Sequence, residues 1–285
     1  MTGAAPTARE ASVRQSPELR PWVALCEEVR RALGEPAWGS VSRGPAPLPD
    51  GAPLLADAVL CVDVGRATPW LRNLFARAVA AGGPAATLRP ERLTDEHAVV
   101  LLGAAVAEDR ARIEALAGDL GAEPGALGAV AGLGAMPLLH AARRTLEGAV
   151  PVAWTHGYCP MCGAWPTLAE ARGVERSRHY RCARCGSAWF AGWLSCPYCG
   201  NRDHLRAAAL VSDEAGARHR VETCEVCRGY VKTLTMLLPT EPADLALADL
   251  DSLGLDLAAV DHGYHRPPGS GRMASARVVA GPPQS

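Results

Sequence analysis

The sequence predicts an α+β protein with an N-terminal all-α helical domain, two four-cysteine metal modules and a short C-terminal helical segment. Two observations predict this class. Four C-x-x-C pairs lie between Cys159 and Cys227. Nine of the 14 aromatic residues fall between Trp154 and Tyr230, whereas the first 150 residues are rich in Ala and Leu. This contrast in composition predicts a domain boundary near residue 150.

The chain has 285 residues, 48% of them apolar, which is enough for two modest domains with a hydrophobic core. A formal net charge of −1 gives no global electrostatic reason to expect nucleic acid or an anionic membrane as a partner. We find no run of roughly 18 apolar residues that would span a bilayer. Met1–Ser16 lacks the apolar segment of a secretory signal. We therefore expect a cytoplasmic protein with no membrane insertion.

The N-terminal domain, residues 1–150, is predicted to consist of helices separated by Gly/Pro loops, and nothing in it indicates a reaction. The predicted helices span Leu19–Leu33, about Trp70–Ala81, Thr94–Gly118 and Pro124–Leu146, the last with a kink at Pro137. Cys26 and Cys61 lie outside the paired set, in apolar stretches. A free cysteine in such a stretch behaves as a small buried hydrophobe.

Each C-x-x-C turn places two thiolates on one side of a tight loop. Two such loops supply a tetrahedral four-sulfur site that suits Zn²⁺ or mononuclear iron, as in rubredoxins and zinc ribbons. Pairing the loops in sequence gives two sites, while crossed pairing of the second and third loops stays open. The first site then comprises Cys159, Cys162, Cys182 and Cys185, and the second site comprises Cys196, Cys199, Cys224 and Cys227. A Gly that permits a positive φ follows three of the pairs, whereas the fourth has Arg228, so we expect a looser turn there.

The intervals between the loops suit short strands, so residues 151–240 are predicted to form a double metal-binding domain. Strands are predicted at Ser177–Arg181, Ala188–Leu194, His204–Ser212 and Ala217–Glu222, with a hairpin turn at Ser212–Gly216. Residues 241–266 are predicted to form the helical segment, with a short helix and a turn over Ala243–Ala259. Residues 267–285 are rich in Gly, Pro and Ser and are predicted to be a disordered tail.

Other uses of paired cysteines fit less well. Disulfide scaffolds are typical of short secreted chains, and a thioredoxin-like motif needs one C-x-x-C at a strand-to-helix junction. The matched loops favour mononuclear sites over an iron–sulfur cluster. A closed four-cysteine shell leaves no open position for catalytic zinc, which argues against an enzyme. Residues 151–240 carry a formal charge of +4, which eight thiolates and two divalent ions would cancel, so we expect no nucleic-acid binding.

The order of the motifs is more specific than the cysteine spacing. The chain contains YCPMCGAWP (Tyr158–Pro166), RHYRCARCGSAW (Arg178–Trp189), CPYCGN (Cys196–Asn201), ETCEVCRGYVK (Glu222–Lys232) and ADLDSLGLD (Ala248–Asp256). Over about residues 155–265 it resembles the formate dehydrogenase accessory protein family, FdhE. That family's ETC-x-x-C-x-x-Y-x-K signature falls here on Glu222, Thr223, Cys224, Cys227, Tyr230 and Lys232.

The resemblance implies a non-catalytic maturation factor that binds the catalytic subunit of a molybdenum- or tungsten-dependent formate dehydrogenase, with iron at the two cysteine sites. It also implies that Glu222, Thr223, Tyr230 and Lys232 belong to a surface that recognises this client. Lys232 is the only lysine in the chain, which itself indicates a position where arginine is not equivalent. Two alternatives stay open: a rubredoxin-like electron-transfer or redox protein, and ions of iron or zinc with a purely structural role.

Overall fold

The computed structural model describes residues 16–35, 38–44, 48–151, 153–192, 195–211 and 219–281. Most of the described N-terminal half is helical. Its α-helices are α1 (Arg20–Leu33), α2 (Val64–Val79), α3 (Asp95–Ala107), α4 (Arg110–Leu120) and α5 (Pro124–Leu146). With the β-sheets of the C-terminal half, these helices confirm the predicted α+β class.

Local capping groups set the ends of the central helices. Thr94 Oγ1 accepts a hydrogen bond from His97 N–H, and the His97 ring accepts one from Thr94 N–H, so α3 begins with a capping box. The predicted helix Thr94–Gly118 is instead two helices, because Glu108 takes a left-handed φ of 55° and Asp109 then caps α4. Sequence periodicity alone did not reveal this break.

Helix α5 has the predicted bounds and lies in the centre of the core. The Glu123 carboxylate caps it by accepting hydrogen bonds from the N–H groups of Gly125 and Ala126. By length and composition, Pro124–Ala149 would suffice to cross a membrane, contrary to our expectation that no run is long enough. However, 72% of its most apolar window is buried inside the protein, as in the core helix of a globular fold.

A six-stranded sheet forms most of the C-terminal half. Its strands are β3 (Leu168–Arg172), β4 (Ser177–Arg181), β5 (Ala188–Phe190), β6 (Ala207–Val211), β7 (His219–Cys224) and β8 (Tyr230–Met236), in the order β5-β4-β3-β8-β7-β6. Neighbouring strands are antiparallel except β3 and β8, which are parallel and join the two halves of the sheet. The predicted strand Ser177–Arg181 is β4, and the other three overlap β5, β6 and β7 with shifted ends. The predicted turn Ser212–Gly216 lies outside the described residues.

A small sheet adds a feature that the sequence did not predict. It comprises β1 (Ser40–Ser42), β2 (Val59–Asp63) and β9 (Arg277–Gly281), with β9 parallel to β2. The prediction of a disordered tail over residues 267–285 therefore does not hold for residues 277–281. The physical reason is that Val278 pairs in register with buried Leu60 and packs beside Gly103 of α3. The residues around this apolar strand are rich in Gly, Pro and Ser, so composition does not indicate it.

The segment after β8 forms two helices, α6 (Leu245–Asp251) and α7 (Leu253–Asp261), instead of the single helix and turn that the sequence predicts. They part at Ser252, whose hydroxyl donates to the C=O of Ala248 and so competes with the helical hydrogen bonds. Helix α7 packs on β7 and β8. Helix α6 packs against α1.

One continuous hydrophobic core crosses the predicted boundary at residue 150. It contains the apolar side chains of α1 to α5 together with all four cysteines of the first site. A second, smaller cluster lies under α7 and contains Val221, Tyr230, Ala259 and Tyr264. Because the main core is shared, the division into residues 1–150, 151–240 and 241–266 stays a prediction.

Candidate metal centre

The four C-x-x-C loops share one backbone conformation. In each loop the N–H of the first cysteine donates to the C=O five residues later, over 2.8–3.0 Å. In three of them the residue after the second cysteine is Gly163, Gly186 or Gly200, with φ between 72° and 80°. Each of these glycines donates its N–H back to the first cysteine of its loop. A positive φ of this kind is what glycine provides at little strain.

The fourth loop keeps the hydrogen bond donated by its first cysteine, although Arg228 stands where the other loops have glycine. Arg228 takes a φ of 55°, a conformation that costs roughly 1 kcal/mol for a residue with a side chain. Its guanidinium donates to the Glu225 carboxylate at 2.7 Å and to the His262 C=O at 3.0 Å, and lies 4.1 Å from the Tyr264 ring. These contacts offset the strain. Among the backbone hydrogen bonds of the described residues, however, none joins Arg228 N–H to Cys224 C=O, so this turn has one such bond fewer than the others, in line with the looser turn that we expected.

The loops bring the eight sulfurs together in the sequential pairing. Within each group of four, all sulfurs lie within 4.8 Å of one another. The closest sulfur pairs are Cys159–Cys185 at 3.5 Å, Cys162–Cys182 at 3.6 Å, Cys196–Cys227 at 3.6 Å and Cys199–Cys224 at 3.7 Å. Metal–sulfur bonds of about 2.3 Å in a tetrahedron place the sulfurs about 3.8 Å apart. The two four-cysteine groups could therefore hold two metal ions.

Binding of a metal ion would change the protonation of the buried thiols. Burial, together with the neighbouring thiols, raises the pKa of Cys159 well above its usual value. A bound cation reverses this effect by stabilising thiolates. Cys26 is 8% exposed, and burial raises its pKa to about 11, in keeping with the packing role predicted for this lone cysteine. Grouping separates the two cases, because Cys159 has three other sulfurs within 4.8 Å and Cys26 belongs to neither group of four.

The first site is built into the core of the protein. Its four cysteines are at most 1% exposed. The N–H groups of Leu54 and Leu55 donate to Pro160 C=O and Met161 C=O at 2.8 and 2.9 Å. From the C-terminal segment, Arg272 N–H donates to the C=O of the glycine that ends the first loop, at 3.0 Å. Segments from both ends of the chain therefore seal this site.

The second site lies at the surface. Cys199 is exposed, and Cys196 and Cys227 are partly exposed. Its support comes from Tyr198, whose hydroxyl donates to the Tyr230 C=O at 2.8 Å within the same module. Solvent and other molecules can therefore reach the second group of sulfurs but not the first.

The structure buries three of the four residues that the resemblance assigns to a client surface, and two of these three belong to one network. Lys232 is 0% exposed and Tyr230 is 4% exposed. The Lys232 ammonium contacts the carboxylates of Asp249 and Asp256 at 2.6 and 2.7 Å. Tyr230 donates its hydroxyl to Asp256 at 2.8 Å, and Arg266 pairs with both carboxylates. This network fastens α6 and α7 to the sheet through the side chains of Lys232 and Tyr230.

Asp249 and Asp256 are the residues of this network that sequence reasoning missed. Two signals pointed to them: the motif ADLDSLGLD contains both, and the only lysine in the chain needs buried acceptors. The ammonium also donates to the Asp249 C=O at 2.8 Å, which uses its third proton. A planar guanidinium would not satisfy three acceptors arranged around one point.

Glu222 and Thr223, the other two predicted partner residues, lie on opposite faces of β7. Thr223 is 5% exposed, and its hydroxyl donates to a backbone carbonyl of β6. The Glu222 carboxylate pairs with Arg178 at 2.5 Å and with Arg220 at 2.7 Å. It lines a cavity of about 300 Å³ that is also lined by cysteines of the second site. Thr223 and Tyr230 also line this cavity, whereas Lys232 does not.

Similar proteins carry the name FdhE. Residues 194–270 match the C-terminal domain of FdhE. A protein FdhE homolog of Pseudomonas aeruginosa is 33% identical over 126 residues, which cover 42% of this chain and 40% of that protein. One from Rhizobium meliloti is 28% identical over 204 residues, which cover 69% of this chain and 63% of that protein. The chain thus spans less than two thirds of the length of these curated relatives.

The fold is also shared with a solved structure. The crystal structure of the FdhE protein from Pseudomonas aeruginosa matches with a TM-score of 0.57 at 24% identity, over 95% of this chain and 98% of that chain. The likeness extends through the helical half as well as the cysteine-rich half. The resemblance to FdhE proteins is thereby confirmed: residues 194–270 match the C-terminal domain of FdhE, and the chain is similar in fold to an FdhE protein.

Proposed function

We propose that this protein is a non-catalytic accessory factor that binds the catalytic subunit of a formate dehydrogenase and supports its assembly or activation. The observation that carries the proposal is the second site. It is exposed, it lies within the residues that match the FdhE C-terminal domain, and it adjoins the cavity beside Glu222. A concave surface with fixed polar groups suits recognition of a partner.

The coordination shells favour an accessory role over an enzymatic one. Each group offers four sulfurs, which fill a tetrahedral shell and leave no position for a substrate or an activated water. At the first site, the sulfurs are also sealed from solvent. The eight cysteines therefore shape the protein and its surface, and a reaction on the client would take place in the client.

We propose one mononuclear ion at each site, held by the eight paired cysteines. Four thiolates suit either iron or zinc, and the resemblance to FdhE favours iron. Such sites need reduced thiols, and the cytoplasm keeps thiols reduced. We therefore place the protein in the cytoplasm.

Deletion of the gene in its native host tests the accessory role. We expect formate dehydrogenase activity to fall sharply and a plasmid copy of the gene to restore it. A copy carrying Cys26→Ser should restore activity equally, because Cys26 lies outside both sites. Purified protein should also capture the catalytic subunit. Unchanged formate dehydrogenase activity in the deletion strain would refute the proposal.

The exposure of Cys199 favours one further candidate, a rubredoxin-like protein that transfers electrons through the second site. Iron held by four thiolates can change its charge by one electron, whereas zinc cannot. This candidate requires protein purified without added metal to be reddish and to bleach on reduction. A colourless protein that contains only zinc would eliminate it and leave the accessory role standing.

A further inference from the structure

The two halves of the six-stranded sheet repeat one unit. Each unit runs C-x-x-C loop, strand, strand, C-x-x-C loop, strand, so β3, β4 and β5 correspond to β6, β7 and β8. The sheet order β5-β4-β3-β8-β7-β6 places the units side by side in the same direction. As a result, β3 is covered along its outer edge by β8. The corresponding strand β6 is the edge of the sheet, and no other strand of the described residues pairs with that edge.

The registers of the two hairpins show which residues correspond. Leu168 lies opposite Arg181, the residue before Cys182, and Ala208 lies opposite Thr223, the residue before Cys224. Leu168 therefore corresponds to Ala208, and the next residue, Ala169, corresponds to Ala209. Ala169 is paired in parallel with Thr233 of β8. Ala209 has the equivalent position on a free edge.

The hydrogen bonds show which backbone groups of β6 point outward. Glu225 N–H donates to Arg206 C=O, and these residues face each other one step beyond the β6–β7 register. Hydrogen bonding to an antiparallel neighbour alternates along a strand. The N–H and C=O groups of Ala207, Ala209 and Val211 therefore point away from β7. On β3, Gly173 donates its N–H to β8. Ala169 lies an even number of residues before Gly173, so its backbone groups also point towards β8.

Strand β6 lacks the usual protection of an edge. Natural edge strands commonly carry Lys or Pro, or a bulge, which prevent pairing with another chain. Here the strand reads AAALV. Exposed apolar side chains flank it, with Leu205 82% exposed and Val211 66% exposed. The edge is therefore open to an added strand and offers apolar contacts at both ends.

The cavity lies directly beside this edge. Its lining includes Ala207 and Ala209 of β6, Glu222 of β7 and Cys224 of the second site. Arg178, which is 4% exposed, also lines the cavity, and its Nε has no acceptor among the described residues. A strand that paired with β6 would place alternate side chains on the face of the sheet that holds the cavity.

We propose that the outer edge of β6 binds an extended segment of the client protein in the parallel sense, as β8 pairs with β3, with client side chains filling the cavity beside the second site. This inference rests on the proposed accessory function. Adding a strand to an open edge is an established mode of peptide recognition, in which main-chain hydrogen bonds supply affinity and pockets supply specificity. A second copy of this chain fits less well, because the methyl groups of its own β6 would leave a cavity of about 300 Å³ largely unfilled.

The test is Ala209→Pro in the full chain, measured for binding to purified catalytic subunit of formate dehydrogenase. Proline removes the outward N–H and leaves the β6–β7 hydrogen bonds in place. Ala209→Ser keeps the N–H and is the matched control. We expect Ala209→Pro to weaken binding about ten-fold, the effect of losing one or two hydrogen bonds, and the control to bind like wild type. The bound subunit should also slow amide hydrogen exchange in residues 207–211.

Each other outcome overturns the proposal in a distinguishable way. Equal binding by wild type and Ala209→Pro, with exchange slowed elsewhere, would place the client on another surface and leave the accessory function intact. Failure of the wild type to bind the subunit would overturn both. A wild-type dimer that Ala209→Pro dissociates would show that a second copy occupies the edge. If Ala209→Pro does not fold, Val211→Lys with Val211→Thr as control makes the same comparison, because Val211 is 66% exposed.

Discussion

The two four-cysteine sites use the same loops and differ in what surrounds them. Their closest sulfur–sulfur distances are 3.5 and 3.6 Å at the first site and 3.6 and 3.7 Å at the second. Yet the first-site cysteines are at most 1% exposed, while Cys199 of the second site is open to solvent. The loops thus set the ligand geometry, and distant segments of the chain decide whether solvent reaches it.

The segments that seal the first site come from far away in the sequence. Leu54 and Leu55 bond to its first loop, and so does Arg272. Helix α5 contributes His140, which packs against the Gly186 turn. The second site is supported within its own part of the chain, by the hydrogen bond from the Tyr198 hydroxyl to the Tyr230 C=O. The first site therefore belongs to the core, and the second to the surface that we propose contacts a client.

The largest expected effect comes from replacing one cysteine ligand at each site and comparing the two variants. A structural four-cysteine site contributes roughly 10 kcal/mol or more to folding when the ion is bound. We therefore expect Cys185→Ser to lose the first ion, and we expect its main core no longer to unfold in a cooperative transition. Cys199→Ser should lose the second ion and keep that transition. Metal content per chain measures the loss of each ion, and thermal unfolding followed by circular dichroism measures the transition. If both variants lost the cooperative transition equally, the first site would have no structural role that the second site lacks.

The next effect tests whether Lys232 fastens α6 and α7 to the six-stranded sheet. Lys232→Met removes a fully buried ammonium and leaves the partly exposed carboxylates of Asp249 and Asp256 to Arg266, which should destabilise the protein by up to about 3 kcal/mol. We expect α6 and α7 to become sensitive to protease while the first ion is retained. Arg266→Met is the matched control, because Arg266 contacts the same carboxylates but its side chain is 32% exposed, where screening reduces the effect. Equal loss in the two variants would contradict a special role for the buried lysine.

The metal ligands could be predicted because each pair of cysteines forms a local motif whose turn is fixed by neighbouring residues. The same holds for α5, whose start is set by Glu123 and Pro124. Lys232 stood out as the only lysine, but its burial depends on Asp249 and Asp256, which are 17 and 24 residues away. A pattern of neighbouring residues does not report such a contact.

Long-range pairing accounts for the remaining differences. Strand β9 forms because Val278 meets β2, more than 200 residues earlier in the chain. The covering of the first site depends on Leu54 and Arg272, which are also remote from the cysteines that they cover. Residues 267–285 have the composition of a disordered segment, and only the partner strand reveals that part of them is ordered. The unequal exposure of the two sites is therefore a property of the fold and not of the C-x-x-C motif.

A smaller effect is expected in the rate of metal release. Because its sulfurs reach the surface, the second ion should leave first when the protein is exposed to a coloured chelator. We expect two phases of one ion each, with rates that differ at least about ten-fold, equal to about 1.4 kcal/mol in activation free energy. Iodoacetamide should modify Cys199 before Cys159. A single phase, or modification of both cysteines at one rate, would show that the difference in exposure does not control access.

The smallest effect concerns the pH dependence of the core around the first site. His140 is 2% exposed, and a Cβ on Gly186 would lie 2.7 Å from its ring, so glycine is needed to seat it. Burial lowers the pKa of His140 from 6.5 to about 4. The imidazole therefore takes up a proton near pH 6.5 in the unfolded chain and only near pH 4 in the folded chain. The stability that the neutral ring contributes is complete above pH 6.5 and is lost as the pH falls from 6.5 towards 4. Between about pH 7 and 5.5 the loss should be about 1 kcal/mol.

The control for this prediction is His140→Gln, which has no group that titrates in the window. Urea unfolding of both proteins at about pH 7 and about pH 5.5 gives the free energy of unfolding, and the wild type should lose about 1 kcal/mol more than the variant. Acid also weakens metal–thiolate bonds, but it does so in both proteins, so the difference between them isolates the imidazole. Cys199→Ser in the same background should leave that difference unchanged, because His140 packs against the first site and not the second. Identical pH slopes for wild type and His140→Gln would show that His140 titrates alike in the folded and unfolded states.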